Sequence, residues 1–296
     1  MRKNFYKSLA ERFKKDKNIV VLLGDIGVYS FKSAFEFDST RIYNMGILEQ
    51  SMLSVAAGLS SRGFIPFVHS IAPFVTERCF EQLKLDIGYE NRNVIVASVG
   101  NSYDYSALGV THHCPNDLNI IQSIPNFRVF CPGNSNDVER ILNDHLYSPY
   151  PKYIRLSEYE NNLKLPYEDL SVLQRHSNGL IVVVGNSIRN FDTLLKSEIK
   201  ATIVYTWNIS QFDVNKIKTI LNDGDSSVKT CITVIEPSYP AGIIQKICLN
   251  VNNIHSINSI AVPPAFIDHY GVKSEIDKSL GLDDESIIQR LKLIYR

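Results

Sequence analysis

The first half of the sequence alternates short apolar runs with segments of helical periodicity. The apolar runs are rich in valine, isoleucine and aromatic residues and show no polar/apolar alternation, which is typical of strands covered on both faces. These runs occupy residues 18–24, 41–45, 64–70, 93–99, 127–131 and 153–156. The helical patterns occupy residues 46–61, 73–88, 116–123 and 134–146. This alternation predicts a mostly parallel sheet with helices on both faces.

The second half repeats the alternation after a charged stretch, residues 158–177, which shows no strand pattern and is predicted to be a linker. Apolar runs then recur at residues 180–185, 201–205, 230–236 and 253–258, and helical patterns at 187–196, 239–249 and 283–293. The predicted fold class is therefore α/β, with two doubly wound domains, each a mostly parallel sheet covered by helices. The predicted domains are residues 1–157 and 178–296.

The composition narrows the functional classes. The 296 residues carry 31 Lys+Arg and 31 Asp+Glu, so the formal net charge is zero, which argues against a nucleic-acid or anionic-lipid partner. No run reaches the roughly 18 apolar residues of a membrane helix. The five cysteines are widely spaced and form no CxxC pair, which favours a reducing cytoplasm and argues against a cysteine metal site.

Polar residues that follow the predicted strands mark a candidate site, because ligands of open parallel sheets bind beyond the carboxyl ends of the strands. These residues are Asp25, Gly46, Glu49, Ser70, Phe74, the loop 100–117 with His112 and His113, and Glu158. Every parallel sheet carries polar loops at this edge, so their position alone leaves an ordinary explanation open.

Glu49 is the most informative of these residues. Its helix has Leu48, Met52, Val55 and Leu59 on one predicted apolar face. Glu49 lies at the edge of that face, where a carboxylate is costly unless it has a partner. One explanation is a first-turn glutamate favoured by the helix dipole or by capping. The other is a carboxylate that shares a proton with a heterocycle.

The remaining candidates have ordinary explanations too. His112 and His113 suit a surface loop or a satisfied core position, and no second metal-ligand spacing accompanies them. Phe74 and Arg78 lie one helical turn apart, which fits a core aromatic beside an arginine paired with Glu77 or Glu81. The segment 182–187 lacks the GxGxxG pattern, which disfavours a dinucleotide-binding module.

Several motifs, in order, resemble the pyrimidine-binding and C-terminal domains of transketolases, and deoxyxylulose-phosphate synthases carry a similar pattern. The motifs are YNMGILEQSMLSVAAGLSSRG (43–63), IAPFVTERCFEQLKLDI (71–87), GVTHHCPND (109–117), SIPNFRVFCPGNSND (123–137), VIEPSYPAGIIQKI (234–247) and FIDHYG (266–271). The resemblance covers nearly the whole chain.

The resemblance implies thiamine diphosphate chemistry. In that family the glutamate matched by Glu49 hydrogen-bonds the aminopyrimidine ring and favours its imino tautomer, whose nitrogen removes the thiazolium proton. Phe74 matches the aromatic that stacks on that ring, with Val75 as an alternative alignment. Asp25 matches an aspartate at the edge of the site, and His112 matches the histidine that contacts the donor's C1 hydroxyl.

Two neighbours complete the predicted site. Arg78, which follows Phe74 by one turn, is assigned to the cofactor-binding residues, and His113, adjacent to His112, to the substrate-binding residues. Glu49 and His112 are the predicted catalytic residues.

The sequence departs from the family at two substrate positions. Leu108 stands where transketolases of sugar phosphates carry an aspartate for the donor C2 hydroxyl, and Glu158 stands where they carry an arginine for the phosphate, although Arg155 is close. A carboxylate repels phosphate. We therefore expect an unusual or modified sugar substrate.

The family's diphosphate and metal motif, GDG followed by asparagine, has no counterpart here, since Gly24-Asp25 continues with Ile26. The resemblance thus implies a split enzyme whose partner subunit binds the diphosphate and holds Mg²⁺ or Ca²⁺, in an α2β2 assembly. This chain itself is expected to provide no metal ligands.

Two other functions stay open at this point. The β subunit of a 2-oxo acid dehydrogenase, or a deoxyxylulose-phosphate-synthase-like enzyme, shares the domain order and the glutamate. An inactive scaffold paralogue is the third possibility, although such a protein has no chemical need for Glu49.

Overall fold

The computed structural model describes residues 1–164, 168–176, 179–222, 230–268 and 270–296. Its first sheet contains the strands β1 (Ile19–Leu23), β2 (Ile42–Asn44), β3 (Ile65–Ile71), β4 (Ile95–Val99), β5 (Arg128–Phe130) and β6 (Lys152–Arg155). They lie in the order β2-β1-β3-β4-β6-β5, and all the pairings are parallel. The predicted parallel sheet of the first half is confirmed.

The second sheet contains β7 (Leu170–Gln174), β8 (Gly179–Val184), β9 (Thr202–Thr206), β10 (Thr230–Ile235) and β11 (Ile254–Ile260). Its order is β11-β10-β8-β9-β7, and it is parallel except for the antiparallel pair β7 and β9. The two-sheet α/β class is thus confirmed.

The strand β7 lies inside the predicted linker, so the expectation that residues 158–177 hold no strand is wrong. Most of β7 is only half-buried at the sheet edge, which is why its sequence lacks the apolar run of a central strand. Residues 165–167 and 177 of the predicted linker lie outside the described residues. The domain boundaries themselves stay a prediction.

The α-helices within the described ranges cover the two sheets. They are α1 (Arg2–Lys15), α2 (Lys32–Phe37), α3 (Glu49–Ser61), α4 (Ala72–Val75), α5 (Phe80–Gln82), α6 (Asp117–Gln122), α7 (Ser135–His145), α8 (Phe191–Leu195), α9 (Val214–Asn222), α10 (Ile243–Asn250), α11 (Lys273–Ser279) and α12 (Asp284–Ile294). Across that part of the chain, no helix combines the length and apolar character needed to cross a membrane.

The sequence patterns predict several helix starts correctly and miss other helices. The Asn134 side chain caps α7 by accepting from two backbone N–H groups, and Asp283 caps α12 by accepting from Ser286 N–H. Helix α1 is not among the predicted elements, although Phe5, Leu9 and Phe13, four residues apart, form its buried face.

The segment 73–88, predicted as one helix, is divided into α4, a turn, α5 and a π-helix at Leu83–Tyr89. Side chains compete for the backbone carbonyls at the break, since Thr76 Oγ1 donates to Ala72 O at 2.7 Å and Cys79 Sγ donates to Phe74 O at 3.0 Å. The backbone N–H of Arg78 donates to Pro73 O at 3.1 Å instead of continuing the α-helical pattern. Arg78 therefore lies in a turn.

The two sheets are joined by direct hydrogen bonds. The N–H of Cys131 donates to Trp207 O at 2.7 Å, and Ile209 N–H donates to Val129 O at 3.0 Å. The loop after β4 also reaches the second sheet's side, since Tyr103 Oη donates to Asp277 Oδ1 at 2.8 Å. These contacts fix the loop that carries His112 and His113.

Candidate active site

Glu49 is the first residue of α3 and is only 2% exposed. The buried face of α3 consists of Met52, Leu53 and Ala56, which follow Glu49 at helical spacings of three, four and seven. Glu49 therefore lies on the buried face itself. The predicted apolar face was wrong at Leu48 and Val55, which are exposed.

The buried carboxylate of Glu49 has a hydrogen-bond donor on each oxygen. Ser70 Oγ, on β3, donates to Oε1 at 2.8 Å, and Arg78 Nη1 donates to Oε2 at 3.1 Å. Charge-assisted hydrogen bonds of this kind offset the cost of burying a carboxylate. Arg78 thus pairs with Glu49, which corrects the alternative expectation of a pair with Glu77 or Glu81.

Gly24, directly after β1, leaves space beside Glu49. A Cβ added at this position would lie 2.8 Å from Ser70 Oγ and 3.4 Å from Glu49 Cγ. The first of these distances is shorter than a van der Waals contact permits. The absence of a side chain at Gly24 therefore lets β1 approach the Ser70–Glu49 hydrogen bond closely.

An aromatic ring lies next to this carboxylate pair. The guanidinium carbon of Arg78 lies 4.3 Å from the centroid of the Phe74 ring. The His112 ring packs against the same Phe74 ring, with centroids 5.2 Å apart and an interplanar angle of 71°. Phe74, Arg78, Glu49 and His112, predicted from separate segments, are thus brought together.

His112 is held by polar and aromatic contacts of the loop after β4. Its Nδ1 lies 2.9 Å from Thr111 Oγ1, and its ring centroid lies 6.4 Å from that of Tyr105. The hydrogen bond to Nδ1 leaves Nε2 as the ring nitrogen available to a bound molecule.

The two other predicted residues of this loop face different surroundings. His113 is buried, and its ring packs against Tyr103 with centroids 6.5 Å apart. Leu108 ends a short 3₁₀ turn, Ser106–Leu108, and is 50% exposed. The structure therefore does not bring His113 to the Phe74 ring, as it does His112.

Asp25 lies at the end of β1, with its backbone in the left-handed region at φ 55°. Its side chain is fixed by Asn44, because Asn44 Nδ2 donates to Asp25 Oδ1 at 3.0 Å and Asp25 N–H donates to Asn44 Oδ1 at 3.0 Å. Asp25 is exposed and shares the strand end that precedes Glu49's helix. It marks the outer edge of the site.

Glu158 and Arg155, which follow or end β6, have separate environments. Glu158 is half-exposed, and its Oε1 lies 3.7 Å from Arg2 Nη1. Arg155 is buried, and its Nε donates to Asp117 Oδ2 at 2.8 Å. Arg155 is therefore neutralised inside the protein and does not take the place of a surface arginine.

The sequence patterns missed the contribution of α1 to this edge of the sheet. Arg2 Nε donates to Tyr6 Oη at 2.8 Å, and Arg2 Nη1 donates to Tyr105 Oη at 3.2 Å. Tyr6 Oη in turn lies 2.8 Å from Nε2 of the buried His69. The signal that was available is the same periodicity that identifies α1 as an amphipathic helix.

Burial controls the ionisable groups around the site. It lowers the pKa of His69 to about 4, so this imidazole is neutral near pH 7. Burial, together with the charge of Glu49, raises the pKa of the Cys79 thiol to about 12. Within the described residues, no group of histidine, cysteine and carboxylate side chains is arranged to hold a metal ion.

The comparisons with known proteins agree on one family. Residues 1–164, more than half of the chain, match the family described as "Transketolase, pyrimidine binding domain". A protein of Rhodococcoides fascians, described as an uncharacterized 33.6 kDa protein in the fasciation locus, is 30% identical over 289 residues, covering 96% of this chain and 91% of that protein.

Other relatives carry more informative names. One of the named subunits of the apulose-4-phosphate transketolase of Phocaeicola vulgatus is 26% identical and covers 97% of this chain and 94% of its own length. The putative transketolase C-terminal section of Methanocaldococcus jannaschii is 27% identical, with 98% and 95% covered.

Solved structures share the fold. A split-gene transketolase, an inactive β4 tetramer, superposes with a TM-score of 0.80 at 22% identity, covering 100% of this chain and 98% of that one. The Pichia stipitis transketolase with sedoheptulose 7-phosphate gives a TM-score of 0.74 at 15% identity, and this chain spans 45% of it. By the match of its first 164 residues and by its relatives along the whole length, the chain belongs to the transketolase family.

Proposed function

We propose that this chain is the C-terminal subunit of a split thiamine-diphosphate-dependent transketolase, which transfers a two-carbon ketol unit between sugars. The observation that carries the proposal is the buried Glu49 carboxylate, held by Ser70 and lying beside the ring of Phe74. A buried carboxylate at the edge of a parallel sheet, next to an aromatic face, suits a planar nitrogen heterocycle.

The residues present fit the pyrimidine half of thiamine diphosphate. Glu49 would hold a ring nitrogen, Phe74 would provide the stacking face, and the missing side chain at Gly24 keeps the space beside Glu49 open. The cofactor supplies the carbanion chemistry needed to break and form carbon–carbon bonds.

The chain's own residues have defined tasks in this proposal. Glu49 holds or accepts a proton at a carboxylate oxygen, and the Ser70 hydroxyl fixes the orientation of that carboxylate through Oε1. His112, held at Nδ1 by Thr111, presents Nε2 to a hydroxyl of the donor sugar. The apolar surroundings of Glu49 exclude water from the proton.

The diphosphate and its metal ion require groups that lie elsewhere in this proposal. The GDG motif is absent from the sequence, and we therefore assign the diphosphate, with Mg²⁺ or Ca²⁺, to a separate partner subunit. Two relatives are named as subunits of an apulose-4-phosphate transketolase, and the split-gene neighbour is an inactive β4 tetramer. We propose an α2β2 assembly as the active form.

The substrate side favours a sugar other than an ordinary pentose phosphate. Glu158 provides a carboxylate in place of a phosphate-binding arginine, and the nearby Arg155 is neutralised by Asp117. Leu108 offers no hydrogen bond to a donor hydroxyl. Replacing Leu108 by aspartate should raise kcat/KM for xylulose 5-phosphate about tenfold, the effect of one substrate hydrogen bond. High wild-type activity with xylulose and ribose phosphates would refute this part of the proposal.

A second function has specific support. The deoxyxylulose-phosphate synthases of Bacillus licheniformis and Dehalococcoides mccartyi are 25% and 29% identical over 95% and 85% of this chain. Such an enzyme would decarboxylate pyruvate, whereas a transketolase would not. Measuring carbon dioxide release from pyruvate beside ketol transfer between sugars separates the two reactions.

The decisive experiment is to co-purify the chain with the candidate partner that carries the GDG motif, and to measure thiamine diphosphate binding and turnover. Glu49→Ala should lower kcat by about 10²–10⁴-fold, because it removes a positioned proton carrier, while the assembly persists. The matched control is Glu81→Ala, an exposed glutamate of α5, which should keep wild-type turnover. Wild-type turnover in Glu49→Ala would disprove the proposed role.

A further inference from the structure

The guanidinium of Arg78 uses both groups on which a cofactor ring would rest. Its Nη1 donates to Glu49 Oε2 at 3.1 Å, and its central carbon lies 4.3 Å from the Phe74 ring centroid. The His112 ring packs against the same phenyl ring at 71°. Phe74 is therefore already in contact with two neighbours, and Glu49 has a donor on each oxygen.

A guanidinium and an aminopyrimidine share the features that these two residues recognise. Both are planar, both carry N–H donors beside a conjugated carbon, and both stack on an aromatic face while donating to a carboxylate. The contacts of Arg78 with Glu49 and Phe74 thus have the chemistry of a bound ligand.

We infer that Arg78 is a built-in stand-in for the cofactor's aminopyrimidine, occupying the Glu49–Phe74 slot until the ring displaces it. This inference rests on the proposed function. It also defines the slot's ligand class, which is a planar nitrogen group that donates hydrogen bonds. Arg78 keeps Glu49 paired in the cofactor-free chain and must leave when the ring enters.

The local structure allows this exchange. The backbone of Arg78 lies in the turn between α4 and α5, and its side chain is 43% exposed while that of Glu49 is 1% exposed. The guanidinium can therefore rotate into water without unfolding a helix. Glu49 is held from its other side by Ser70 and keeps its orientation.

The exchange makes Arg78 a competitor of the cofactor. When a site is open in only a fraction of molecules, the apparent dissociation constant rises by the inverse of that fraction. We expect Arg78→Met, which keeps the side-chain length and removes the guanidinium, to bind thiamine diphosphate about tenfold more tightly than wild type, which corresponds to about 1.4 kcal/mol.

The first test needs only the isolated full-length chain. In ¹⁵N-labelled protein, the Nε–Hε resonance of Arg78, identified by its loss in Arg78→Met, should be shifted upfield by the Phe74 ring. Phe74→Leu should return it to the position of a solvated arginine. An Arg78 resonance that is identical in wild type and Phe74→Leu would overturn the inference.

The second test uses the chain assembled with its partner subunit and titrates thiamine diphosphate with Mg²⁺ by calorimetry. The matched control is Arg140→Met, which removes a guanidinium of the same exposure, 42%, from its exposed pair with Asp144. Tighter binding in Arg78→Met, but not in Arg140→Met, supports the stand-in.

Unchanged or weaker binding in Arg78→Met, with binding retained by wild type, would refute the stand-in and leave the proposed function intact. If neither protein binds thiamine diphosphate, the proposed function fails, and the inference that rests on it fails too. The resonance of Arg78 in the isolated chain then still reports whether its guanidinium lies on Phe74.

Discussion

Glu236 offers a quantitative test of how burial sets the stability of this fold. It follows β10 directly, is 2% exposed, and accepts the N–H of Ala241 at 3.1 Å on both carboxylate oxygens. The next residue, Pro237, accepts hydrogen bonds at its carbonyl from Ser102 and Arg155 of the first half of the chain. The ionisation of Glu236 therefore occurs beside a contact between the two sheets.

Burial raises the pKa of Glu236 from 4.5 to about 7. Between these two values the unfolded chain has released this proton and the folded chain retains it. Because the folded state then binds more protons, the free energy of unfolding falls as the pH rises through this window. The contribution is absent below pH 4.5 and complete above pH 7. At about 1.4 kcal/mol per pKa unit, it amounts to about 3 kcal/mol.

Glu236→Gln removes the ionisation and keeps an oxygen that accepts from Ala241. We expect its gain in unfolding free energy over wild type to be about 3 kcal/mol larger at pH 8 than at pH 4.5, measured by urea titration at both values. Glu11→Gln, at an exposed position of α1, is the control and should show no such difference. A gain for Glu236→Gln that is the same at both pH values within about 0.5 kcal/mol would refute the reasoning.

Two further predictions concern the surroundings of Glu49. Gly24→Ala places a Cβ 2.8 Å from Ser70 Oγ, so it should weaken thiamine diphosphate binding about tenfold and lower unfolding free energy by about 1–3 kcal/mol, measured by calorimetry and urea titration; unchanged binding would contradict the close approach. Cys79, whose pKa is about 12, should resist iodoacetamide at pH 8 while the exposed Cys248 is alkylated, as mass spectrometry of the native chain can establish. Rapid labelling of Cys79 in folded protein would show that its environment is wrong.

The strands were predictable because burial on both faces leaves a direct signature in sequence. Central strands such as β1, β4 and β8 are apolar at nearly every position, and their burial is complete. The edge strand β7 is half-buried and carries polar residues, so its pattern does not differ from that of a charged loop. Prediction failed where tertiary pairing, and not composition, forms the strand.

The candidate site was predictable as a set of residues and not as a set of contacts. The order of strands brings Glu49, Phe74 and His112 to one edge, and this follows from the parallel topology. The partner of Arg78 does not follow, because the predicted helix 73–88 directs Arg78 toward its own neighbours. Only the break after α4, caused by side chains that bind backbone carbonyls, turns Arg78 toward Glu49.

The same break explains how a buried carboxylate persists in a chain that lacks the cofactor. Glu49 would be strongly destabilising without a cation or donors, because its surroundings on α3 are apolar. A continuous helix would leave only Ser70 to satisfy it, whereas the turn adds a guanidinium that remains connected to water. A cation attached to a mobile side chain can pair with the carboxylate in the free chain and withdraw when a better-fitting ring arrives. The irregular segment between α4 and the π-helix is thus the part of the fold that reconciles stability of the separate chain with access to Glu49.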